Sequence, residues 1–222
     1  MRALGADADV RVELGDPRVT IAEIAEREGY DLVVVGYRGR SAIQELVLGS
    51  TAKALAAKGP CPVLIARGTA LATIQKILVA VDGSRHALRA AEAAMELARA
   101  FAAPVTLLYV LDSAALAAVT HPHAWLQLRW SLHNLGMETL ASARERCQQV
   151  ERVECDQAQV DGRPADVICR WAQDGGYDLV AIGRRGLSGI ERLVLGSVSD
   201  AVLRASSQLV LVVGEQEDLK TI

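Results

Sequence analysis

Short apolar runs alternate with amphipathic stretches along most of the chain. The runs end at turn residues, which is typical of strands buried on both faces of a parallel sheet. Between them, apolar residues recur at three- and four-residue intervals, the spacing of a helix that buries one face. In the second half this pattern predicts five strands separated by helices, at residues 77–81, 105–111, 153–160, 178–182 and 209–213.

The strict alternation of strands and helices predicts the fold class. It favours an α/β fold with a doubly wound, five-stranded parallel sheet, in which right-handed crossovers place helices on both faces. Ligands of such sheets bind beyond the carboxyl ends of the strands, where the strand order reverses. If the strand that precedes Asp82 lies beside the strand that precedes Gly183, both following loops face one crevice.

The first half shows a shorter version of the same pattern. Strands are expected at residues 10–14, 31–35 and 62–66, and helices over 19–28 and 50–58. Gly29 follows the first helix and is expected to be its C′ residue. We expect this half to be the less stable part of the chain, because strand 10–14 would lack its usual neighbours.

An internal repeat links the two halves. Residues 29–50 and 176–197 align without a gap, and 15 of the 22 positions are identical. At this offset, a counterpart of Asp82 would fall before the first residue. The repeat therefore predicts a partial domain over 1–68, a linker at 69–75, a complete domain over 76–215 and a tail at 216–222.

The repeated stretch contains a candidate phosphate site. Gly183, Gly186 and Gly196 are spaced G-x2-G-x9-G and are followed at once by Ser197. Glycines allow a backbone to approach a ligand closely, and a helix N-terminus presents N–H groups and a partial positive charge. Either Ser197 or Ser199 is expected to cap the helix that begins here. The loop is thus predicted to cradle phosphate, although a tight strand-to-helix connection would need the same glycines.

Composition narrows the function classes. The net charge is −3 and there is no basic block, which argues against nucleic-acid binding. The four cysteines form no CxxC motif and are expected to be reduced thiols of a cytoplasmic protein. There is no signal-peptide pattern, and no apolar run approaches the roughly 20 residues of a membrane span.

Two stretches together resemble the universal stress protein family, in its nucleotide-binding branch. They are Ile77–Ser84, which reads ILVAVDGS, and the G-x2-G-x9-G-S loop. The resemblance implies a sheet of the adenine-nucleotide α-hydrolase-like type, bound ATP with Mg²⁺, and domains that dimerise through their last strands. The nucleotide-binding positions that it implies are Ala80, Asp82, Gly83, Val110, Gly183, Arg184, Gly186, Gly196, Ser197 and Val198.

The resemblance also implies a role for several of these residues. The loop glycines, Ser197 and Val198 would hold phosphate and ribose. Asp82 would lie at the nucleotide or its metal ion, and the backbone of Val110 would contact adenine. The first loop keeps Gly36, Gly39, Gly49 and Ser50 but has no counterpart of Asp82 or Val110, so no site is expected there unless another chain completes it.

Asp82 and several other conspicuous residues of the sequence also have purely structural interpretations. Asp82 fits a turn that precedes a helix capped by Ser84. Arg38, Arg184 and Arg185 are either phosphate partners or solvated loop residues. His121 and His123 lack a third metal ligand in the sequence, and Trp125 and Trp130 fit a core or an interface.

Three functional hypotheses follow. The first is a cytoplasmic ATP-binding stress protein that acts as a sensor or switch, with at most slow hydrolysis because no water-activating base is evident. The second is a dimerisation module without nucleotide, in which residues 62–66 and 209–213 pair with each other or with a second chain. The third and weaker one is a nucleotide-dependent transferase, which would need a catalytic Lys or His that loop 183–197 lacks.

Overall fold

The computed structural model describes residues 8–37, 48–67, 73–112, 116–117, 119–148, 153–187 and 195–214. The strands are β1 Val33–Gly36, β2 Val63–Ala66, β3 Ile77–Ala80, β4 Val105–Asp112, β5 Cys155–Gly162, β6 Leu179–Gly183 and β7 Leu209–Val213. The helices are α1 Pro17–Glu28, α2 Ser50–Lys58, α3 Arg85–Phe101, α4 Pro122–Cys147, α5 Pro164–Asp174 and α6 Ser197–Ala205. Among the described helices, none combines the length and the apolar character that a bilayer crossing needs.

The strands form a seven-stranded sheet in the order β1-β2-β7-β6-β3-β4-β5. β3 pairs in parallel with β4 on one side and with β6 on the other. The strand order therefore reverses between β3 and β6, as in other doubly wound sheets. This confirms the predicted fold class and makes the strands before Asp82 and Gly183 neighbours.

The core lies in two layers, one on each face of the sheet. Alternate residues of a strand point to opposite faces, so Ile77 and Val79 join one layer while Leu78 joins the other. Helices α3 and α4 cover the first face, and the remaining helices cover the second. Both faces are aliphatic, which explains why the strands read as continuous apolar runs.

The sheet has more strands than the second half alone provides because β2 joins β7. The two strands pair antiparallel, with Val63 opposite Val212, Leu64 opposite Leu211 and Ile65 opposite Val210. This is the pairing of the last strands with each other, one of the two possibilities that the sequence left open. β6 occupies the other edge of β7, so both edges of the last strand are hydrogen-bonded within the chain.

The strand predicted at residues 10–14 is wrong. Val10, Val12 and Leu14 belong to no strand and are 92%, 91% and 97% exposed. The equivalent residues of the second half, 157–161, lie in β5 and pair with β4. The described part of the first half has no strand equivalent to β4, so the alternating pattern has no neighbour to pair with.

The ends of α1 follow from its flanking residues. Asp16 is the N-cap and accepts a 2.9 Å hydrogen bond from the backbone N–H of Arg18. Pro17 then occupies the first turn, which starts the helix two residues before the predicted position. Gly29 ends the helix in the left-handed conformation with φ 68°, which confirms its predicted role.

Candidate functional site

A cavity of about 350 Å³ opens at the carboxyl ends of β3, β4 and β6. This is the place that the topology predicts for a ligand. Eight of the ten residues predicted to bind nucleotide line it, namely Ala80, Asp82, Val110, Gly183, Gly186, Gly196, Ser197 and Val198.

The loop after β3 and the loop after β6 are in direct contact. The hydroxyl of Ser84 donates a 3.2 Å hydrogen bond to the carbonyl oxygen of Arg185. Carboxylate atom Oδ2 of Asp82 lies only 2.5 Å from the point where a Cβ at Gly186 would stand. Two turns about a hundred positions apart thus converge, and the glycine leaves the space that the carboxylate occupies.

Asp82 has the turn role that its position suggested, and it also lines the cavity. Its Oδ1 accepts a 2.9 Å hydrogen bond from the N–H of Ser84, which is the turn role. Ser84 in turn caps α3, because its hydroxyl accepts from the N–H of Ala87 at 3.2 Å. The second oxygen, Oδ2, remains in the cavity wall beside Gly186, where a cation or a ligand hydroxyl can reach it.

Gly83 is a turn residue and not part of the cavity wall. Its φ is 87°, a conformation that favours glycine, and it is exposed. It is not among the described residues that line the cavity. The structure therefore shows a turn role for Gly83, and its assignment to nucleotide binding stays a prediction.

A glycine at position 183 is needed for the packing of β6 against α3, in addition to any role in ligand binding. A Cβ there would lie 2.7 Å from the backbone nitrogen of Ala87 and 2.8 Å from the carbonyl carbon of His86. The end of β6 therefore touches the first turn of α3, and a side chain would separate them. The sequence motif gave the same weight to Gly183 and Gly186, but the structure distinguishes a packing glycine from a cavity glycine.

The N-terminus of α6 faces the cavity without a capping side chain. Gly196 is the N-cap, so the prediction that Ser197 or Ser199 caps this helix is wrong. Ser197 is the first helical residue and is exposed, while the hydroxyl of Ser199 donates to the carbonyl oxygen of Gly183 at 2.7 Å. Among the described residues no side chain caps the first turn, and the helix dipole favours an anion there.

Arg184 does not point into the cavity. Its side chain is buried, and Nε donates to the carbonyl oxygen of Ala56 at 3.0 Å. Nη2 donates to the carbonyl oxygen of Gly59 at 2.7 Å. These carbonyls end α2, so the predicted phosphate role of this guanidinium is corrected to a structural one. Its neighbour Arg185, which the sequence also raised, lines the cavity instead.

An arginine of the first half makes the corresponding contact with the second half, which the sequence did not predict. Nη2 of Arg67 donates to the carbonyl oxygens of Leu203 and Arg204, at 2.6 and 2.9 Å, near the end of α6. The guanidinium stacks on the ring of Tyr37, 3.5 Å from its centroid. Each half thus supplies an arginine to the last turn of a helix in the other half, where carbonyls lack helical partners.

One wall of the cavity is apolar. Leu108 and Val110 alternate along β4 and therefore share a face, and Ile168 of α5 and Ile182 of β6 lie beside them. Of these, only Val110 was predicted, although the two-residue period of β4 was a signal for Leu108. The cavity is therefore lined by apolar side chains and by the N-terminus of α6, a combination that suits a ligand with an apolar part and an anionic part.

Burial and a nearby charge act on Tyr109, which also lines the cavity. Burial, followed by the negative charge of Asp82, raises the pKa of its phenol. The phenol therefore stays neutral at physiological pH and adds no charge to the site.

No protein-only metal centre exists in the described residues. They contain no group of three or more His, Cys, Asp and Glu side chains placed to hold an ion. The rings of His121 and His123 lie 5.9 Å apart without such a group. In the first loop, Arg38 and Gly39 lie outside the described residues.

The chain matches the universal stress protein family over residues 2–67 and 73–214. The universal stress protein YxiE of Bacillus subtilis is 31% identical over 145 residues, which is 62% of this chain and 97% of that protein. The solved structure of universal stress protein UspA from Lactobacillus plantarum has a TM-score of 0.57 at 25% identity, and the match covers 64% of this chain and 99% of that one.

One further solved structure extends the likeness across both halves. A universal stress protein from Archaeoglobus fulgidus has a TM-score of 0.60 and 24% identity, and the match covers 92% of this chain and 67% of that one. At this identity the likeness shows a shared fold. It includes the first half as well as the second.

Proposed function

Since the chain belongs to the universal stress protein family, we propose that it binds an adenine nucleotide, ATP with Mg²⁺, in the cavity beside Asp82. The single observation that supports this most is the convergence of Asp82, Gly186 and the N-terminus of α6 on one cavity where the strand order reverses. Binding would serve as a sensor or switch in a cytoplasmic stress response.

The lining residues fit each part of such a ligand. The apolar wall around Val110 and Ala80 accommodates a base, and first-turn N–H groups of α6 would donate hydrogen bonds to phosphate oxygens. Cavities of about 300 Å³ or more hold small molecules, and this one is about 350 Å³. Mg²⁺ is usually bound by one or two carboxylates together with phosphate oxygens, and the carboxylate of Asp82 fits that pattern.

The lining favours binding over turnover. The described cavity wall contains Asp82 and Asp112 as its carboxylates and includes neither histidine nor lysine. Asp82 Oδ1 is already engaged with the N–H of Ser84. Without a positioned base for water, we expect any hydrolysis to be slow, which suits a switch that is read in its bound state.

The second half, residues 76–215, would form the nucleotide-binding domain, and residues 1–68 would support it. This division includes the proposed linker 69–75, whose residue Ile74 is buried in the core. The alternative was a dimerisation module whose last strands pair with each other or with a second chain. The first pairing is present within the chain, and pairing of β7 with a second chain gains no support because both of its edges are already occupied.

The test is calorimetric titration of the full chain with Mg-ATP, comparing the native protein with Gly186→Val. We expect saturable heat from the native protein, and an affinity at least about tenfold weaker for the variant, because the new side chain displaces Asp82 and fills the cradle. Gly29→Ala is a control for backbone strain alone, since Gly29 has a positive φ and lies outside the cavity; this variant should bind as the native protein does. Equal heats for the native protein and Gly186→Val would contradict the proposal.

A further inference from the structure

Helix α4 packs along β5 with a regular spacing of contacts. The Gln159 side-chain amide lies 3.0 Å from Nδ1 of His133. Two residues earlier on the strand, Nε2 of Gln157 donates to the carbonyl oxygen of Leu140 at 2.7 Å. Each two-residue step along β5 thus corresponds to seven residues, or two turns, along α4.

The next step of this series brings together two cysteines. Two residues before Gln157 on the same strand face is Cys155, and seven residues after Leu140 is Cys147. Cys147 is buried in the core layer between α4 and the sheet, and Cys155 packs partly buried against the same layer. The register of α4 on β5 therefore places the two thiols side by side in this layer.

We propose that Cys147 and Cys155 form a redox-sensitive pair, which closes to an intrachain disulfide when the protein meets a hydroperoxide. The pair lies at the amino end of β5, whereas the cavity lies at the carboxyl ends of the strands. This modification site is therefore separate from the proposed nucleotide site and does not rest on it.

The two thiols have different roles. The hydrogen bond from Cys147, with a further contribution from the charge of Arg144, lowers the pKa of Cys155 despite its partial burial. The same hydrogen bond, together with burial, raises the pKa of Cys147. Cys155 is therefore the thiolate that attacks, and Cys147 is the thiol that resolves.

The chemistry balances with a hydroperoxide as the oxidant. The Cys155 sulfur attacks one peroxide oxygen, the O–O bond breaks, and a sulfenic acid forms as the second oxygen leaves as hydroxide, or as alkoxide from an organic peroxide. Cys147 then attacks that sulfur, an S–S bond forms, and the sulfenic oxygen leaves as water after taking up a proton. Two thiols lose two electrons in total, and an external dithiol restores them.

The other two cysteines provide an internal comparison. Burial raises the pKa of both Cys61 and Cys169. A thiol with a raised pKa carries less thiolate at neutral pH and reacts more slowly with peroxide. We expect the 147–155 pair to oxidise about tenfold faster than these two thiols.

The experiment exposes the full chain to hydrogen peroxide, stops the reaction with catalase, and alkylates the unfolded protein with N-ethylmaleimide. We expect two of the four thiols to resist alkylation, with a mass loss of about 2 Da before alkylation. Trypsin cleaves after Arg146, Arg152 and Arg170 but not between Arg163 and Pro164, so Cys147 falls on one peptide while Cys155 and Cys169 fall together on another. The disulfide should join residues 147–152 to residues 153–170, and repeating the map in Cys169→Ser assigns the second partner to Cys155.

Variants separate the roles. The double variant Cys61→Ser with Cys169→Ser should form the same cross-link at the same rate. Cys147→Ala should leave a Cys155 sulfenic acid that dimedone traps. If this variant fails to fold, the cross-link map of the native protein still shows whether Cys147 and Cys155 form the disulfide. Four alkylated thiols after peroxide, or a cross-link that involves Cys61, Cys169 or a second chain, would overturn the proposal.

Discussion

The guanidinium of Arg184 donates a 2.7 Å hydrogen bond to the carbonyl oxygen of Gly59. Arg184 belongs to the glycine loop of the second half, and Gly59 ends a helix of the first half. The loop that borders the cavity is therefore held in place from the far side by the other half of the chain. A residue expected to bind phosphate instead determines where the loop lies.

Replacing Arg184 with methionine should lower the free energy of unfolding by about 2–4 kcal/mol, because buried carbonyl groups of α2 lose charged donors. Urea denaturation measures this. Arg204→Met is the control, since Arg204 pairs with Asp200 on an exposed helix surface and should change stability by less than about 0.5 kcal/mol. Equal effects of the two substitutions would contradict a buried role for Arg184.

Gly183→Ala should destabilise the protein, whereas Gly186→Ala should chiefly affect the cavity. At position 183 the new Cβ meets backbone atoms of α3 at 2.7 and 2.8 Å, which cannot move without moving the helix. We expect a loss of about 2–4 kcal/mol there. At position 186 the new Cβ meets only the end of the Asp82 side chain. Thermal unfolding of the two variants, side by side, checks this order.

Asp82→Asn should weaken Mg-ATP binding at least about tenfold, or about 1.4 kcal/mol, and leave stability nearly unchanged. The amide oxygen can still accept from the N–H of Ser84, but the negative charge for a cation is lost. Titrations with and without Mg²⁺ distinguish the loss of the metal ion's contribution from a loss of nucleotide binding itself. Asp161→Asn is the control, because that carboxylate pairs with Arg129 and does not line the cavity. If nucleotide binding by Asp82→Asn still depended on Mg²⁺ as in the native protein, Asp82 would not be a ligand of the metal ion.

The start of α1 should loosen in acid. Hydrogen bonds from the side chain and then the backbone of Arg18 lower the pKa of Asp16 to about 2. Because this pKa is below the unfolded value of about 3.9, the contribution to stability is complete above about pH 4 and is lost as the pH falls towards 2. An NMR titration of Asp16 checks the pKa. In Asp16→Asn, which keeps a capping oxygen, this part of the pH dependence should disappear.

Hydrogen exchange should be uneven within the first half. The amides of residues 8–14 should exchange fastest, since this segment belongs to no strand and its apolar side chains are exposed. β2 should be well protected, because it is buried between β1 and β7. Uniform protection of residues 8–37 and the second half would contradict the lower stability predicted for the first half.

The sequence predicted the elements well where local signals agree. α2 and β7 have their predicted bounds, since a glycine precedes the first and the second is an uninterrupted aliphatic run. The sequence predicted that the Asp82 and Gly183 loops would share a crevice if the two preceding strands were neighbours, and the pairing of β3 with β6 meets that condition.

The role of Arg184 could not be predicted in this way. Its counterpart in the repeat is Tyr37, so the repeat gives no hint of a shared contact. The carbonyl groups of α2 lie close to Arg184 because β2 pairs with β7. This is a pairing between strands far apart in the sequence, which local sequence patterns do not specify. Likewise, the alternating residues 10–14 look like a strand, but a strand also needs a neighbour, and periodicity alone does not supply one.

The antiparallel junction centred on Leu64 and Leu211 has a further consequence. Both sides of this seam are carried on one polypeptide, so their meeting is an intramolecular event with a high effective concentration. A seam of this kind does not come apart on dilution. The support that the first half gives to the loop beside the cavity is therefore the same at trace amounts of protein as in a crowded cell.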